Sequence, residues 1–390
     1  RRDIAFKGSG RTPFSRGGDG KAAIGPVLRE VLIGEAMYAL GIPTTRALAA
    51  VGTGEQIYRE RPLPGAVLTR VAASHLRVGT LQFFAARRDT HNLRQVAEYA
   101  IARHDPDLVG KEDRFLQLLG AVVQRQARLV AQWMGTGFIH GAMNTDNMTL
   151  SGETIDYGPC AFMEAFDPQT VFSSIDTHGR YAFGNQPGIA QWNLARMAEA
   201  LLPLIDPDTD RAVAQATEVL DRFESHFDLH WLAVHRAKLG LDATDDDEAD
   251  RTLINDYLQG LHRHGVDFTL GWRRLADTLR GEPLALQRLW GEGVAELNAW
   301  ITRWRERLQA QGRPEAEVAR RMDAVNPLYI PRNHLVENAL DAATEAGDLR
   351  AFEKLLAIVT RPYDERPEDA RATLPGTREQ TQGYRTFCGT

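Results

Sequence analysis

The stretch from His140 to Pro159, HGAMNTDNMTLSGETIDYGP, constrains the fold and the chemistry of this chain more than any other segment. It follows directly on an apolar segment with helical periodicity that ends at Gly137. Asn147 and Asp156 both offer hard oxygen ligands, which suit Mg²⁺ or Mn²⁺ bound to the phosphates of a nucleotide. The residues between them, MTLSGETI, predict a β-hairpin that would bring both ligands to one ion.

The spacing of these residues is that of the protein kinases, with one difference. Kinases carry H-R-D-x-x-x-x-N and then D-F-G. Here Asn147 follows His140 by seven residues, and Asp156-Tyr157-Gly158 takes the place of D-F-G. Ala142 occupies the position of the kinase base, and its side chain cannot accept a proton. A chance match, with a surface Asn and a turn-forming Asp, is the alternative that a short motif leaves open.

Composition excludes several classes of protein. The net charge of -6 over 390 residues argues against a general nucleic-acid binder, and no apolar run approaches the roughly 20 residues of a membrane helix. The two cysteines, Cys160 and Cys388, cannot form a disulfide framework, which favours a reducing, bacterial-type cytoplasmic location. The chain begins RRDIAF, without Met or a signal peptide. We therefore expect it to begin inside a domain, and organellar targeting by a missing segment stays open.

The order of elements predicts a mixed fold. Residues 3–7 predict a strand, residues 8–21 a Gly-rich loop, and the next segment a helix that stops at Gly41-Ile42-Pro43. Two further strands are predicted before residue 80, and helical periodicity dominates from about residue 92 to residue 341. From residue 361 the chain is rich in Pro and Arg without apolar periodicity, which predicts an extended tail.

Four charged residues upstream of the motif are candidates for phosphate binding. Lys7 ends the first predicted strand and Glu30 lies 23 residues later in the first predicted helix, the order in which kinases pair a strand Lys with a helix Glu. An unrelated ion pair, or none, is the open alternative. The guanidinium groups of Arg70 and Arg77 suit phosphate oxygens, although surface salt bridges explain them equally well.

Taken together, several long stretches resemble the SelO family, also called YdiU, from residue 6 to about residue 340. The resemblance implies an α+β, protein-kinase-like, two-lobed fold of the pseudokinase group, with a helical C-terminal region added. It implies the remainder of an N-lobe, incomplete at its start, over 1–80, a helical C-lobe with the active-site loop over 81–270, and a helical extension with a tail over 271–390. The stretches that carry it are FKGSGRTPFSRGGDGK, EAMYALGIPTTRALA, HGAMNTDNMTLSGETIDYGP, GRYAFGNQP, WNLARMAEAL and NPLYIPRNHLVENAL.

The resemblance also implies an activity. Known members of the family transfer AMP from ATP to Ser, Thr or Tyr hydroxyls of proteins, with the nucleotide inverted relative to a kinase. The implied partners are ATP, Mg²⁺ or Mn²⁺ and proteins with hydroxyl side chains, but neither nucleic acid nor membrane. The implied roles are triphosphate contacts for Lys7, Arg70 and Arg77, nucleotide binding for Asp19, Gly20 and Asp156, the partner of the lysine for Glu30, metal ligation for Asn147 and Asp156, and proton acceptance for Asp146.

The chain departs from the family pattern in places. The family's DGRAVLRSSIRE is here DGKAAIGPVLRE, so Lys21 keeps the charge but loses the guanidinium fork. Cys388 keeps a family position near the C-terminus, where we expect an exposed, redox-responsive thiol, whereas Phe172 stands in the area where some members carry a second cysteine. A small-molecule phosphotransferase is the first alternative function, and Ala142 opposes it. A non-catalytic nucleotide-binding scaffold is the second, and the joint presence of the candidate residues opposes it.

Overall fold

The structure, a computed structural model, describes residues 1–387 and has an α+β architecture in that range. A four-stranded antiparallel sheet is formed by β1 (Asp3–Lys7), β2 (Ala22–Ala23), β3 (Arg46–Tyr58) and β4 (Pro62–Ala72). β4 is the central strand, because β1, β2 and β3 all pair with it. β1 and β2 therefore lie one after the other along the same edge of β4. The Gly-rich loop, residues 8–21, connects these two strands. The predicted strands at the N-terminus are confirmed.

Helices form most of the remaining chain. The first, α1 (Ile24–Ala39), packs against the sheet and ends where Gly41 adopts a left-handed φ of 76°. A two-stranded ladder of β5 (Phe138–Ile139) and β6 (Ala161–Phe162) flanks the motif region. The other helices are α2 (Val78–Ala86), α3 (Thr90–His104), α4 (Arg114–Thr136), α5 (Gln186–Ile205), α6 (Thr209–Asp221), α7 (Phe223–Lys238), α8 (Asp247–Arg263), α9 (Phe268–Arg273), α10 (Leu275–Leu279), α11 (Leu284–Trp290), α12 (Val294–Ala310), α13 (Glu315–Asp323), α14 (Asn333–Ala346), α15 (Arg350–Val359) and α16 (Arg378–Thr381).

The long helix α4 delivers the chain to the motif. Its apolar face is buried in the largest apolar cluster, together with residues of α2, α3 and α5. The helix ends at Gly137, whose φ of 76° suits a helix terminus that only glycine adopts without strain. A Cβ at this position would lie 3.0 Å from the ring of Phe268. The predicted helix and its end are therefore confirmed, and β5 leads from this end into His140.

Two further apolar clusters organise the second half of the chain. One contains apolar side chains from every helix from α7 through α13. The other packs Leu28 and Leu32 of α1 against Val336 of α14 and Phe352 of α15. Helices near the C-terminus therefore brace α1, the helix that carries Glu30. Within the described residues no helix is both long and apolar enough to cross a bilayer. The domain boundaries at 80 and 270 stay predictions.

The predicted hairpin between the two candidate metal ligands is wrong. Thr149 forms an antiparallel bridge with Arg77, and Thr154 forms a parallel bridge with Thr44. The two halves of MTLSGETI thus pair with different segments of the N-terminal region and not with each other. Backbone groups of both halves are bonded there, for example the Thr154 N–H to the Pro43 carbonyl at 2.9 Å, so they are not available for a ladder between the halves.

The prediction of an extended tail is also wrong in part. Residues 361–387 contain a 3-10 helix over Pro367–Thr373 and the short helix α16. Thr386 is buried, and it donates its backbone N–H to the Phe172 carbonyl at 2.8 Å and its hydroxyl to the Pro159 carbonyl at 2.6 Å. Polar contacts of this kind fix a segment without apolar periodicity, which is why its sequence looks unstructured. Cys388 lies outside the described residues.

The lysine at the end of α7 provides a test of this packing. Lys238 is buried, with its ammonium 5.0 Å from the ring centroid of Trp272, and burial lowers its pKa to about 7. The unfolded chain binds this proton up to a pKa of 10.5, so the free energy of unfolding should rise as pH increases from 7 towards 10.5. Lys238→Met should therefore stabilise the protein at pH 6 by on the order of 4 kcal/mol, and the gain should shrink above pH 7.

Urea unfolding at several pH values checks this expectation, with the exposed Lys354→Met as the matched control. A gain for Lys238→Met that does not change between pH 6 and pH 9 would contradict the buried, uncompensated charge.

Candidate active site

Five residues that the sequence offered as separate candidates meet in one cluster. The Lys7 ammonium donates to Glu30 Oε1 at 2.7 Å and to Asp156 Oδ1 at 2.8 Å. Arg70 Nη1 donates to the same Asp156 oxygen at 2.6 Å, and Arg77 Nη1 lies 3.6 Å from Asp156 Oδ2. The predicted ion pair of Lys7 and Glu30 is confirmed. Since Arg70 is only 5% exposed, its surface salt-bridge alternative is excluded.

Strand register and helix packing explain why these side chains converge. Lys7 is the last residue of β1, and Arg70 on β4 lies directly opposite Ala5. Because side chains alternate along a strand, Lys7, Ala5 and Arg70 share one face of the sheet. Glu30 lies on α1, which packs against this sheet. Arg77 directly precedes the first residue of α2, so the start of this helix delivers it to the cluster.

The loop that carries Asp156 is pinned by its neighbours. Asp156 has φ of 63°, a left-handed conformation that few residues other than glycine adopt and that is often found at functional sites. The next residue, Tyr157, donates its N–H to Glu30 Oε1 at 2.9 Å, and its phenol contacts the Thr44 hydroxyl. His140 Nε2 lies 2.8 Å from the Ile155 carbonyl oxygen. Glu30 thereby connects Lys7 to the backbone of this loop.

The cluster carries excess positive charge. Burial opposes ionisation of Asp156, but Lys7 and the two arginines outweigh it and hold the pKa of Asp156 well below its ordinary value. Burial likewise opposes the charge on Lys7, while Glu30 and Asp156 raise its pKa. Burial, together with the two arginines, lowers the pKa of nearby His75 to about 4. Three cations and two carboxylates leave one net positive charge, which suits an anionic ligand such as a triphosphate.

Asp146 and Asn147 lie on a 3-10 turn beside this cluster. Asn147 Nδ2 donates to the Ala142 carbonyl at 2.7 Å, which leaves its amide oxygen as the atom suited to a cation. Asp146 packs against the first turn of α2, where a Cβ on Gly79 would lie 2.1 Å from Asp146 Oδ1. The other carboxylate oxygen contacts the guanidinium of Arg16. Asp146 is 45% exposed, so a large substrate can reach it.

The donor set fits a divalent ion that arrives with a nucleotide. Asn147 and Asp156 supply hard oxygen atoms, and Mg²⁺ is usually held by one or two carboxylates together with substrate phosphates. Over residues 1–387 no group of three or more His, Cys, Asp and Glu residues could hold a metal by itself. Lys7 and Arg70 donate to Asp156 Oδ1, and Arg77 lies 3.6 Å from Oδ2, so Asp156 would hold a metal only together with ligands that also take up these cations.

Asp19 and Gly20 occupy a separate position on the Gly-rich loop. Hydrogen bonds from Arg59, at 2.9 and 3.0 Å, and from the Lys21 backbone lower the pKa of Asp19 to about 2. Lys21 itself pairs with Glu55 at 2.6 Å. None of these hydrogen bonds connects Asp19 to the Lys7 cluster. Nucleotide binding by Asp19 and Gly20 therefore stays a prediction.

Two basic residues near the site are not among those that the sequence pattern indicated. Arg16 directly precedes Gly17 and Gly18 in the same loop as Asp19. Arg29, next to Glu30, is buried and donates to the Cys160 carbonyl and, at 3.2 Å, to Glu337 Oε1 on α14. Neighbouring glycines are a signal that could have drawn attention to Arg16. Nothing local marks Arg29, because its partners lie 131 and 308 residues away in the chain.

Comparisons with known proteins agree on one family. The sequence model described as Protein adenylyltransferase SelO matches residues 1–360. A protein of Chromobacterium violaceum named Protein nucleotidyltransferase YdiU is 59% identical over 391 residues, which is 100% of this chain and 81% of the relative. Proteins with the same name from Cereibacter sphaeroides, 58% identical, and Rhizobium leguminosarum bv. trifolii, 55% identical, also match 100% of this chain and 79% and 78% of their own lengths.

Proposed function

This chain belongs to the SelO family and is a protein nucleotidyltransferase, and we propose that it transfers AMP from ATP to Ser, Thr or Tyr hydroxyls of proteins, with release of pyrophosphate. The observation that carries the proposal is the convergence of Lys7, Arg70 and Arg77 on Asp156, with a second carboxylate, Asp146, at the solvent side. We also propose that the sheet with α1 is part of a kinase-like N-lobe and that the protein works in a bacterial-type cytoplasm.

Differences in burial support an inverted nucleotide. The side chain of Lys7 is 17% exposed and that of Arg70 is 6% exposed, so the triphosphate end enters the interior. Asp146 is open to solvent, whereas Ala142, at the kinase-base position, is only 4% exposed. A protein hydroxyl can therefore approach Asp146 but not Ala142. In that arrangement the α-phosphate, and not the γ-phosphate, lies next to the incoming hydroxyl.

The reaction is then a displacement at the α-phosphorus. The hydroxyl oxygen forms a bond to phosphorus, the bond to the bridging oxygen of pyrophosphate breaks, and Asp146 accepts the hydroxyl proton. Lys7, Arg70 and Arg77 hold the leaving pyrophosphate and stabilise its negative charge. Mg²⁺ or Mn²⁺ held by Asn147 and Asp156 supplies further charge stabilisation when bound. Glu30 positions Lys7 and, through the Tyr157 N–H, the Asp156 loop.

Restoring a kinase base should not restore a kinase. In Ala142→Asp the new carboxylate faces the buried end of the site, away from the hydroxyl, so we expect no γ-phosphate transfer. To test this, full-length protein and candidate substrates are incubated with ATP labelled at either the α- or the γ-phosphate. The intact mass of each substrate protein then identifies the group that was added. Ala142→Asn is the matched control, because it adds similar volume without charge.

The position of the label in ATP separates adenylyl transfer from phosphotransfer and from a non-catalytic scaffold. Transfer of the α-label to protein by the wild type supports adenylyl transfer. Transfer of the γ-label, by the wild type or by Ala142→Asp, supports a phosphotransferase. Nucleotide binding without transfer of either label supports a scaffold.

A further inference from the structure

The Gly-rich loop, residues 8–21, is a closed excursion from the sheet. Its two ends are held together by a bridge between Ser9 and Lys21 and by the bond from the Gly10 N–H to the Gly20 carbonyl at 3.1 Å. Gly20 has φ of 66°, and a Cβ there would lie 2.1 Å from the Gly10 carbonyl oxygen, so only glycine fits this closure. The strands on both sides pair with β4. The base of the loop is therefore fixed while its tip extends away from the sheet.

The tip of the loop lies over α2 and Asp146. The ring of Phe14 packs edge-on against Phe83 of α2, with ring centroids 5.3 Å apart. The tip is folded on itself, for example by the bond from the Ser15 N–H to the Thr12 carbonyl at 3.1 Å. Internal bonding of the tip fixes the position of Arg16 relative to Phe14. Docking on α2 thus brings the Arg16 guanidinium onto the Asp146 carboxylate.

The ion pair of Arg16 and Asp146 is weak enough for Arg16 to exchange Asp146 for another anion. Arg16 is 81% exposed, and exposed ion pairs contribute little to stability. Its φ of 51° is left-handed, which is unfavourable for a residue with a side chain and so needs compensation from the contacts of the tip. In this state a cation covers one oxygen of the carboxylate that must receive the hydroxyl proton. A triphosphate bound at Lys7, Arg70 and Arg77 would bring several negative charges nearby and compete with Asp146 for this cation.

Asp146 is linked to the Lys7 cluster through the start of α2. Asp146 lies against Gly79, two residues after Arg77, and Arg77 in turn faces Asp156. A guanidinium on Asp146 is thus next to the end of the site where the α-phosphate would lie.

We propose that Arg16 is a further residue of the transfer site, which holds Asp146 in the nucleotide-free protein and moves to a phosphate oxygen of the bound nucleoside triphosphate. The move frees Asp146 for the protein hydroxyl and brings the loop tip down over the nucleotide. This inference rests on the proposed function, because it takes the ligand to be the triphosphate bound at Lys7, Arg70 and Arg77. In this proposal Arg16 contacts the nucleoside triphosphate itself and does not act through Asp146 alone.

Variants of Arg16 in the full-length protein test the phosphate contact. Arg16→Ala should raise the Kd for ATP by roughly 10- to 100-fold, the effect of losing one charged hydrogen-bonded contact, and should lower transfer of the α-label at limiting ATP accordingly. Arg16→Lys should recover part of the binding, since the charge remains but the fork is lost. Arg61→Ala, which removes another exposed ion pair, with Glu345, should bind ATP like the wild type.

The Asp146→Asn background separates a phosphate contact from an effect through Asp146. Asp146→Asn removes the competitor for Arg16, so ATP should bind about 2- to 5-fold more tightly. Adding Arg16→Ala to this variant should still weaken ATP binding. If it has no effect there, Arg16 acts only through Asp146 and the phosphate contact is refuted. Faster label transfer by Arg16→Ala than by the wild type would identify Arg16 as a plug and also overturn the proposal.

Failure of this inference differs from failure of the proposed function. If the wild type transfers the α-label and Arg16→Ala behaves like Arg61→Ala, only the role of Arg16 is wrong. If the wild type transfers no label to any protein, the proposed function itself is wrong.

Discussion

Asp156→Asn should lower AMP transfer by roughly 10³-fold or more, because one carboxylate serves both the metal and the phosphate-binding cations. The carboxylate is both a candidate metal ligand and the common partner of Lys7, Arg70 and Arg77. Its loss removes the charge that would hold a divalent ion on the phosphates. It also releases three cations that the nucleotide-free protein keeps in place. Transfer of α-labelled ATP by full-length protein measures the effect, and near-normal activity would refute the assignment of this site.

The same substitution should destabilise the nucleotide-free protein. Removing one partner of a buried charge cluster typically costs about 3–5 kcal/mol, because the remaining charges stay buried without compensation. ATP with Mg²⁺ should restore much of the lost stability, since its phosphates replace the missing carboxylate. Because the pKa of Asp156 is depressed in the folded state, its stabilising effect is present above the ordinary carboxyl pKa and is lost as pH falls through the folded-state value.

A matched control exists on the surface. Asp242 also receives two arginines, Arg313 at 2.7 Å and Arg321 at 3.0 Å, and its side chain is 32% exposed, against 20% for Asp156. Asp242→Asn should leave both AMP transfer and the response to ATP unchanged. Melting curves of the two variants, with and without ATP, therefore separate the loss of a site charge from the loss of any ion pair. An Asp156→Asn protein that ATP does not stabilise would contradict triphosphate binding at this cluster.

Asp146→Asn should slow AMP transfer by about 10²–10⁴-fold without weakening ATP binding. Asp146 contacts none of the three triphosphate cations by hydrogen bond in the described residues, and its side-chain ion pair is with Arg16. The amide keeps the shape of the side chain but cannot take the hydroxyl proton. Single-turnover transfer at saturating ATP isolates this step from binding. Asp256→Asn, which removes an exposed carboxylate paired with Arg303, is the control and should react at the wild-type rate.

Two results would contradict this assignment. A wild-type rate in Asp146→Asn at saturating ATP would show that another group accepts the proton. A slow rate that is fully restored by more ATP would show that Asp146 serves binding and not proton transfer.

Local elements and most members of the site follow from the amino-acid sequence without coordinates. Apolar periodicity and a terminating glycine were enough to predict α4 and its end at Gly137, because helix formation depends on residues only a few positions apart. Kinase-like order was enough to predict the pair of Lys7 and Glu30, which are 23 residues apart. The oxygen chemistry of Asn147 and Asp156 pointed to a phosphate-bound cation before any geometry was known.

The way in which these pieces are joined depends on tertiary packing. The hairpin between Asn147 and Asp156 was wrong because Thr149 and Thr154 bridge to separate segments that periodicity cannot identify. The contacts of Arg70 with Asp156 and of Arg16 with Asp146 span 86 and 130 residues, so they depend on the packing of the sheet against the motif loop. Spacing along the chain encodes which residues share a helix or strand face, whereas the meeting of distant charges is set by how those faces bury each other.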